Sequence, residues 1–158
     1  MEYGENRVIT DSSLLIEETP MFIFPSLLKF CTLFEAAILQ QISYWIRIYS
    51  KKGKNYINGR TWVYISNNEL AKQIKSCSVK TVNRSIKKLE EKGLVLSDNF
   101  NRNSRDRVKW YAIDYVKLQS LLGEGIAVRQ PVQFEQDNLS NSLYKNKRKL
   151  KNEYTQMD

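Results

Sequence analysis

The segment from Ser78 to Gly93 constrains the fold most. Ser78 is a good N-cap, because its hydroxyl can accept a hydrogen bond from a free backbone N–H of a first helical turn. Val79, Val82, Ile86 and Leu89 follow at spacings of three and four, so a helix over Val79–Lys92 has one narrow apolar face. Gly93 supplies the left-handed conformation that ends it. A helix with so thin a stripe packs on one side and leaves the other to solvent. Just before it, Ser66 and Glu69 have the spacing of a capping box and open a short helix, Asn67–Ile74, with Leu70, Ala71 and Ile74 as core contacts. Only the tight turn Ser76-Cys77-Ser78 separates the two helices. Leu94–Ser97 then reads as a strand, Asp98–Asp106 as a polar loop, and Val108–Ile113 as a returning strand with Val108, Trp110, Ala112 and Ile113 as candidates for burial. Short helix, turn, longer helix and two-stranded ribbon make a winged helix-turn-helix, spanning about Asn58 to Tyr115.

Upstream, Thr32 and Glu35 form another capping-box pattern. The helix it opens carries Phe34, Ile38, Ile42, Trp45 and Tyr49, widened by Leu39 and Ile46. So broad an apolar surface requires burial on two sides, either within one chain or across a homodimer. Lys51–Arg60 reads as a basic loop closed by the turn Asn58-Gly59. Its lysines and Arg60 suit either phosphate contact or a solvated connector. Thr61–Ile65 is β-branched and aromatic, hence a strand. Pro20 and Pro25 bracket Met21-Phe22-Ile23-Phe24, a short strand or an extended segment packed on the domain. Asp114 can cap a last helix, Tyr115–Leu122, ended by Gly123 and Gly125. The expected class is α+β, mainly helical: a winged helix-turn-helix with an extra N-terminal helix and a wing sheet of two to three strands. The expected division is an N-terminal arm (1–24), the winged domain (25–122) and a polar basic tail (123–158) whose composition suits disorder.

The chain has 158 residues, a formal net charge of +8 and a sequence pI of about 9.5. That balance suits a polyanion, either nucleic acid or an acidic membrane surface. The charge is uneven. Residues 1–31 lean acidic through Glu2, Glu5, Asp11, Glu17 and Glu18. Between Lys75 and Lys109, by contrast, the only acids are Glu90, Glu91, Asp98 and Asp106, set among many lysines and arginines. There is no histidine, which removes Ser-His and Cys-His catalysis, His-metal sites and the His-dependent nickases. No phosphate-binding G-x-x-x-x-G-K-[ST] loop is present. Cys31 and Cys77 lack ligand-like spacing and read as free thiols of a reducing compartment. The expectation is a protein with no enzymatic activity, cofactor, metal, signal peptide or membrane span, cytoplasmic in a bacterial host and associated with its nucleoid.

In a helix-turn-helix the second helix enters the major groove with its N-terminal part leading. The face opposite the apolar stripe presents Lys80, Thr81, Asn83, Arg84, Lys87 and Lys88. Lys80, Thr81, Asn83 and Arg84 are the base-reading candidates: Arg pairs with guanine, Asn with adenine, and the Thr methyl meets thymine. Lys87 and Lys88 lie further along and suit phosphates, and Ser78 can cap the helix while offering a hydroxyl to a phosphate. An ordinary solvated face would carry mixed charge, whereas here the acids Glu90 and Glu91 cluster at the far end. In the wing, Arg102, Asn103, Arg105, Arg107 and Lys109, with Asn101 and Ser104, form a flexible tip suited to phosphates or a narrow minor groove. A soluble hairpin tip would be equally exposed, and only the density of arginine favours DNA. The cluster Lys145–Lys151 suits either non-specific affinity or a charged linker. Cys77, in the turn, reads as a small buried residue rather than a redox switch.

Three stretches carry a resemblance to a family. They are Phe34-Glu35-Ala36-Ala37-Ile38-Leu39-Gln40-Gln41-Ile42-Ser43-Tyr44-Trp45, then Gly59-Arg60-Thr61-Trp62-Val63-Tyr64, and the closing Lys109-Trp110-Tyr111-Ala112-Ile113-Asp114-Tyr115. With Ser78–Val82 and Lys92–Val95, they resemble the N-terminal domain of phage replication proteins from Gram-positive hosts, the replisome organisers or replication initiators. The resemblance covers about Pro25 to Leu118. It implies a winged-helix domain that binds origin DNA, with a second region that recruits a helicase or its loader. This sequence departs there: after Leu122 only a short polar tail follows, so helicase loading would fall to a partner or to the rest of a longer protein of which this chain is a fragment. Two other readings stand beside origin binding. A winged-helix transcriptional regulator needs the same groove chemistry, and a protein-interaction module or phage-encoded inhibitor would use the wide apolar face of the first helix.

Overall fold

The computed structural model describes residues 20–131. Pro20–Phe24 runs without regular structure, and Pro25 starts a 3₁₀ turn, Pro25–Lys29. Met21 and Ile23 pack on the core while Phe22 and Phe24 are exposed, so this segment is extended but only half attached.

The first helix, α1 (Leu33–Lys51), runs through the centre. Its capping box is complete: Glu35 N–H donates to Thr32 Oγ1 (3.3 Å) and Thr32 N–H donates to the Glu35 carboxylate (3.1 Å). Ala36, Ala37, Ile38, Leu39, Ile42 and Ile46 are all buried, as the width of the stripe requires. The second side is covered within the chain, by the helix-turn-helix on one flank and the sheet on the other. Glu35 is buried too, at 1% exposure, and its partner is described below.

The strand expected over Thr61–Ile65 is divided. Asn58 and Gly59 both adopt positive φ (52° and 78°), the requirement of a two-residue hairpin turn whose twist matches its strands. They join β1 (Tyr56–Ile57) to β2 (Arg60–Thr61), so part of the expected basic loop is a hairpin. Trp62 N–H bonds to the Asn55 carbonyl and extends that hairpin by one pair; the chain then leaves it, and β3 (Val63–Tyr64) joins another sheet. Buried Ser50 donates to Thr61 Oγ1 at 2.9 Å and ties the hairpin to the end of α1.

Two helices follow, α2 (Asn67–Ile74) and α3 (Val79–Glu91). Ser66 caps α2, but its capping box is only half formed. Glu69 N–H donates to Ser66 Oγ, while the Glu69 carboxylate accepts from Gln73 one turn on. Gln73 is itself anchored, because its Oε1 accepts from Gln41 (2.7 Å) and from Trp45 Nε1 (2.8 Å) on α1. Val82, Ile86 and Leu89 of α3 are buried as expected, and Ser85 joins them. Val79 is 37% exposed, because the first residue of the helix lies beyond the last packed turn. Gly93 (φ 71°) closes α3: Gly93 N–H bonds to Glu90 O, and Leu94 N–H to Leu89 O. Leu94 is thereby committed to the helix end, and β4 begins one residue late, at Val95–Asp98.

β5 (Trp110–Ile113) lies between β3 and β4, antiparallel to both, with Tyr111 opposite Val63 on one side and Ser97 on the other. The fold is thus an α+β winged helix with a three-stranded sheet. Asp114 caps α4 (Tyr115–Leu122) by accepting from Lys117 N–H at 3.0 Å. The Gln119 side chain then holds the following segment, donating to Gly123 O and Ile126 O and accepting from Val128 N–H. Residues 123–128, which composition assigns to the tail, therefore lie back on α4. The basic cluster Lys145–Lys151 falls outside the described residues. Among those residues no helix is long and apolar enough to cross a membrane.

Candidate nucleic-acid interface

Lys80, Asn83, Arg84, Lys87 and Lys88 are all exposed on the free side of α3. Ser78 accepts from Thr81 N–H at 3.2 Å, and the two hydroxyls lie 3.0 Å apart. Capping occupies both side chains, so the Thr81 hydroxyl is turned back on its own helix. Asn83 is not a free side chain either. Its Oδ1 accepts from Asn67 Nδ2, and Asn67 Oδ1 accepts from the Tyr111 hydroxyl at 2.8 Å.

Arg102, Asn103, Arg105, Arg107 and Lys109 are exposed in the wing. The wing is braced rather than flexible. Asn101 donates to Asp106 O (3.0 Å) and Val108 O (2.8 Å) and accepts from Trp110 Nε1 (2.7 Å). Those carbonyls are spent on a side chain instead of a neighbouring strand, which is why β5 starts at Trp110 and not at Val108. Phe100 sits edge-on between Trp62 and Trp110, at ring distances of 5.0 and 5.7 Å, and Tyr64 leans on Trp110 at 5.3 Å. The Tyr64 hydroxyl donates to Asp106 at 2.7 Å, and Val108 N–H donates to the same carboxylate. These bonds, the backbone one foremost, hold the Asp106 carboxyl below its ordinary value, while the tyrosine is pushed up mainly by its bond to that carboxylate. Asn103 accepts from Arg105 N–H and shapes the tip. Lys109 is placed 3.7 Å from Glu90, a partner on α3 that sequence spacing could not show.

The two sets meet in a shallow cleft of about 310 Å³. Val79 and Asn83 come from α3, Arg107 and Lys109 from the wing, and Ser66, Asn67 and Asn68 from the start of α2. No acid lines it. Arg102, Asn103 and Arg105 lie outside it, at the tip. Asn67 and Asn68 were not candidates from sequence, since polar residues after an N-cap are ordinary first-turn residues. Cys77, in the turn, is half-buried, and burial pushes its thiol up, away from reactivity.

Residues 55–95 match a family described as a helix-turn-helix domain. The match runs from the β1–β2 hairpin to the start of β4. A solved structure described as an N-terminal domain of a DNA binding protein is similar over 82% of this chain and 88% of its own, at 16% identity and a TM-score of 0.46. No curated protein matches the chain. The chain carries a helix-turn-helix domain. That architecture is built to present one helix to duplex DNA, and DNA binding is the function it supports.

Proposed function

We propose that this protein binds double-stranded DNA sequence-specifically and acts at a replication origin. The observation that carries the first part is the acid-free cleft in which the leading end of α3 meets the basic base of the wing. A duplex seated there meets Lys80, Asn83 and Arg84 in the major groove. Ser78, Lys87, Lys88, Arg107 and Lys109 flank them at phosphate positions, and Thr81 offers its methyl group. Arg102, Asn103 and Arg105 reach the neighbouring groove from the tip. The working unit is residues 25–122, flanked by the arm and the tail, and the role is binding rather than catalysis.

Support for replication comes from the resemblance outside the generic helix-turn-helix, in α1 and in Gly59–Tyr64. In this reading the partners are duplex DNA, a helicase or its loader, and a second copy of the chain. Footprinting on the genome that encodes the protein tests it. Protection of clustered repeats beside replication genes is the expected result. Protection of a promoter operator instead would make the protein a transcriptional regulator, and failure to bind any duplex at low salt would remove DNA from the reading.

A further inference from the structure

Three side chains form a relay across the cleft. Tyr111 on β5 donates to Asn67 Oδ1, and Asn67 Nδ2 donates to Asn83 Oδ1 on α3. Tyr111 is 1% exposed, so the first link is shielded from water. Burial, reinforced by the nearby charge of Glu90, pushes the Tyr111 hydroxyl up to about 12, and it stays a proton donor at any working pH. With the Tyr111 hydroxyl donating to Asn67 Oδ1, the Asn67 amide holds its oxygen toward β5 and its nitrogen toward α3. That in turn sets Asn83, whose oxygen faces the Asn67 amide. Oxygen and nitrogen are the two arms of the trigonal amide, so an Asn83 oxygen spent on Asn67 leaves the NH₂ group as the arm open to a duplex. Asn83 is exposed there, in the second turn of the helix that leads into the groove.

Bidentate pairing with adenine needs both ends of the asparagine amide, the oxygen for N6 and the nitrogen for N7. We infer that the Tyr111–Asn67 relay makes Asn83 a reader of hydrogen-bond acceptors, guanine N7 and O6, thymine O4 or adenine N7 alone, and one that rejects cytosine, which offers only a donor. The inference rests on the DNA-binding reading above and sharpens it to one base position. Asn83 is the specificity residue, and Asn67 and Tyr111 are positioning residues that act through it.

Selection from a pool of random-sequence duplexes, read by sequencing, tests the relay. The unaltered protein should exclude cytosine, and favour guanine with its two acceptors, at one position that Asn83→Ala leaves indifferent. Asn67→Asp keeps the acceptor for Tyr111 but replaces the donor facing α3 with another acceptor. Asn83 then turns its NH₂ inward and its oxygen outward. The same position should reject guanine and thymine and admit cytosine, whose exocyclic amine donates, by roughly 5- to 150-fold in relative preference. The other positions should hold. Asn83→Asp, an exposed change that does not threaten the fold, should move that position to cytosine, and Tyr111→Phe should relax it. Cytosine selected there by the unaltered protein would overturn the relay while leaving DNA binding intact. So would Asn67→Asp weakening all sequences alike, or no position responding to Asn83. An unaltered protein that selects no sequence overturns the DNA-binding reading itself.

Discussion

Lys92, the C-cap of α3, donates to the buried carboxylate of Glu35, the residue that also closes the capping box of α1. The same ammonium donates to the Phe30 carbonyl at 2.7 Å. One lysine thus joins the end of the proposed recognition helix to the start of the central helix, and its charge also suits the negative end of α3.

Stability should depend on this pair and on pH in a definite direction. Burial alone would push the Glu35 carboxyl up, but hydrogen bonds from Lys92 and from the Thr32 backbone outweigh it and hold the group below its ordinary value of 4.5. A lowered carboxyl stabilises the fold fully above that ordinary value and loses the contribution as pH falls through the lowered one. Lys92→Met should cost about 2–3 kcal/mol, at or below the low end for a fully buried pair because Lys92 is a third exposed. Urea unfolding between pH 3 and 7 checks it: Glu35→Gln should flatten the acid limb, and an unchanged limb would show that another carboxylate sets it.

Arg84 and Lys88 are both exposed on α3, one leading and one trailing, and should differ in kind. Arg84→Ala should relax one base position by about 1–3 kcal/mol. Lys88→Ala should weaken all duplexes alike and reduce the salt slope by about one. Titrations against selected and random duplexes across a salt series separate them. Equal losses on both duplexes for both variants would reject Arg84 as a base reader.

Caps and apolar periods are local, and for that reason they were legible. Thr32, Ser66, Ser78 and Asp114 all cap the helices expected of them, and Gly93 ends α3. What could not be read were pairings set by distant chain. Glu35 reads only as a capping-box residue until Lys92, 57 residues away, is brought to it. Thr61–Ile65 has one strand's composition, yet Thr61 pairs with Tyr56 and Val63 with Tyr111, so its halves lie in different sheets. Likewise the site side chains could be listed as exposed and basic, but the hold of Asn67 on Asn83 and of Glu90 on Lys109 depends on how α2, α3 and β5 converge.

The wing should fail as a unit when Asn101 is removed. Its amide makes three hydrogen bonds, to Asp106 O, Val108 O and Trp110 Nε1, in a half-buried setting. Asn101→Ala should cost about 2 kcal/mol, since each lost partner leaves a polar group only partly reached by water. Hydrogen exchange should quicken between Asn99 and Lys109 while α1 stays protected. Duplex affinity should fall even though no basic residue is lost. Unaltered exchange in the wing would mean that the aromatic cluster of Trp62, Phe100 and Trp110 suffices to hold it.

Glu90 should act as a restraint on the interface. Its carboxylate lies 3.7 Å from Lys109, with one oxygen buried and without a hydrogen bond among the described residues, and its charge helps raise Tyr111. Lys109 is half-exposed, so the pair contributes little to folding, about 0–1 kcal/mol. Glu90→Gln should therefore leave the melting temperature nearly unchanged and lower the Tyr111 hydroxyl, seen as an earlier tyrosinate absorbance. Freed from its partner, Lys109 can turn to a phosphate. Duplex affinity at low salt should rise, and the salt slope should steepen by up to about 0.9, the contribution of one released counterion. A tyrosine shift without a change in slope would confine the Glu90–Lys109 pair to a structural role and remove Lys109 from the proposed phosphate contacts.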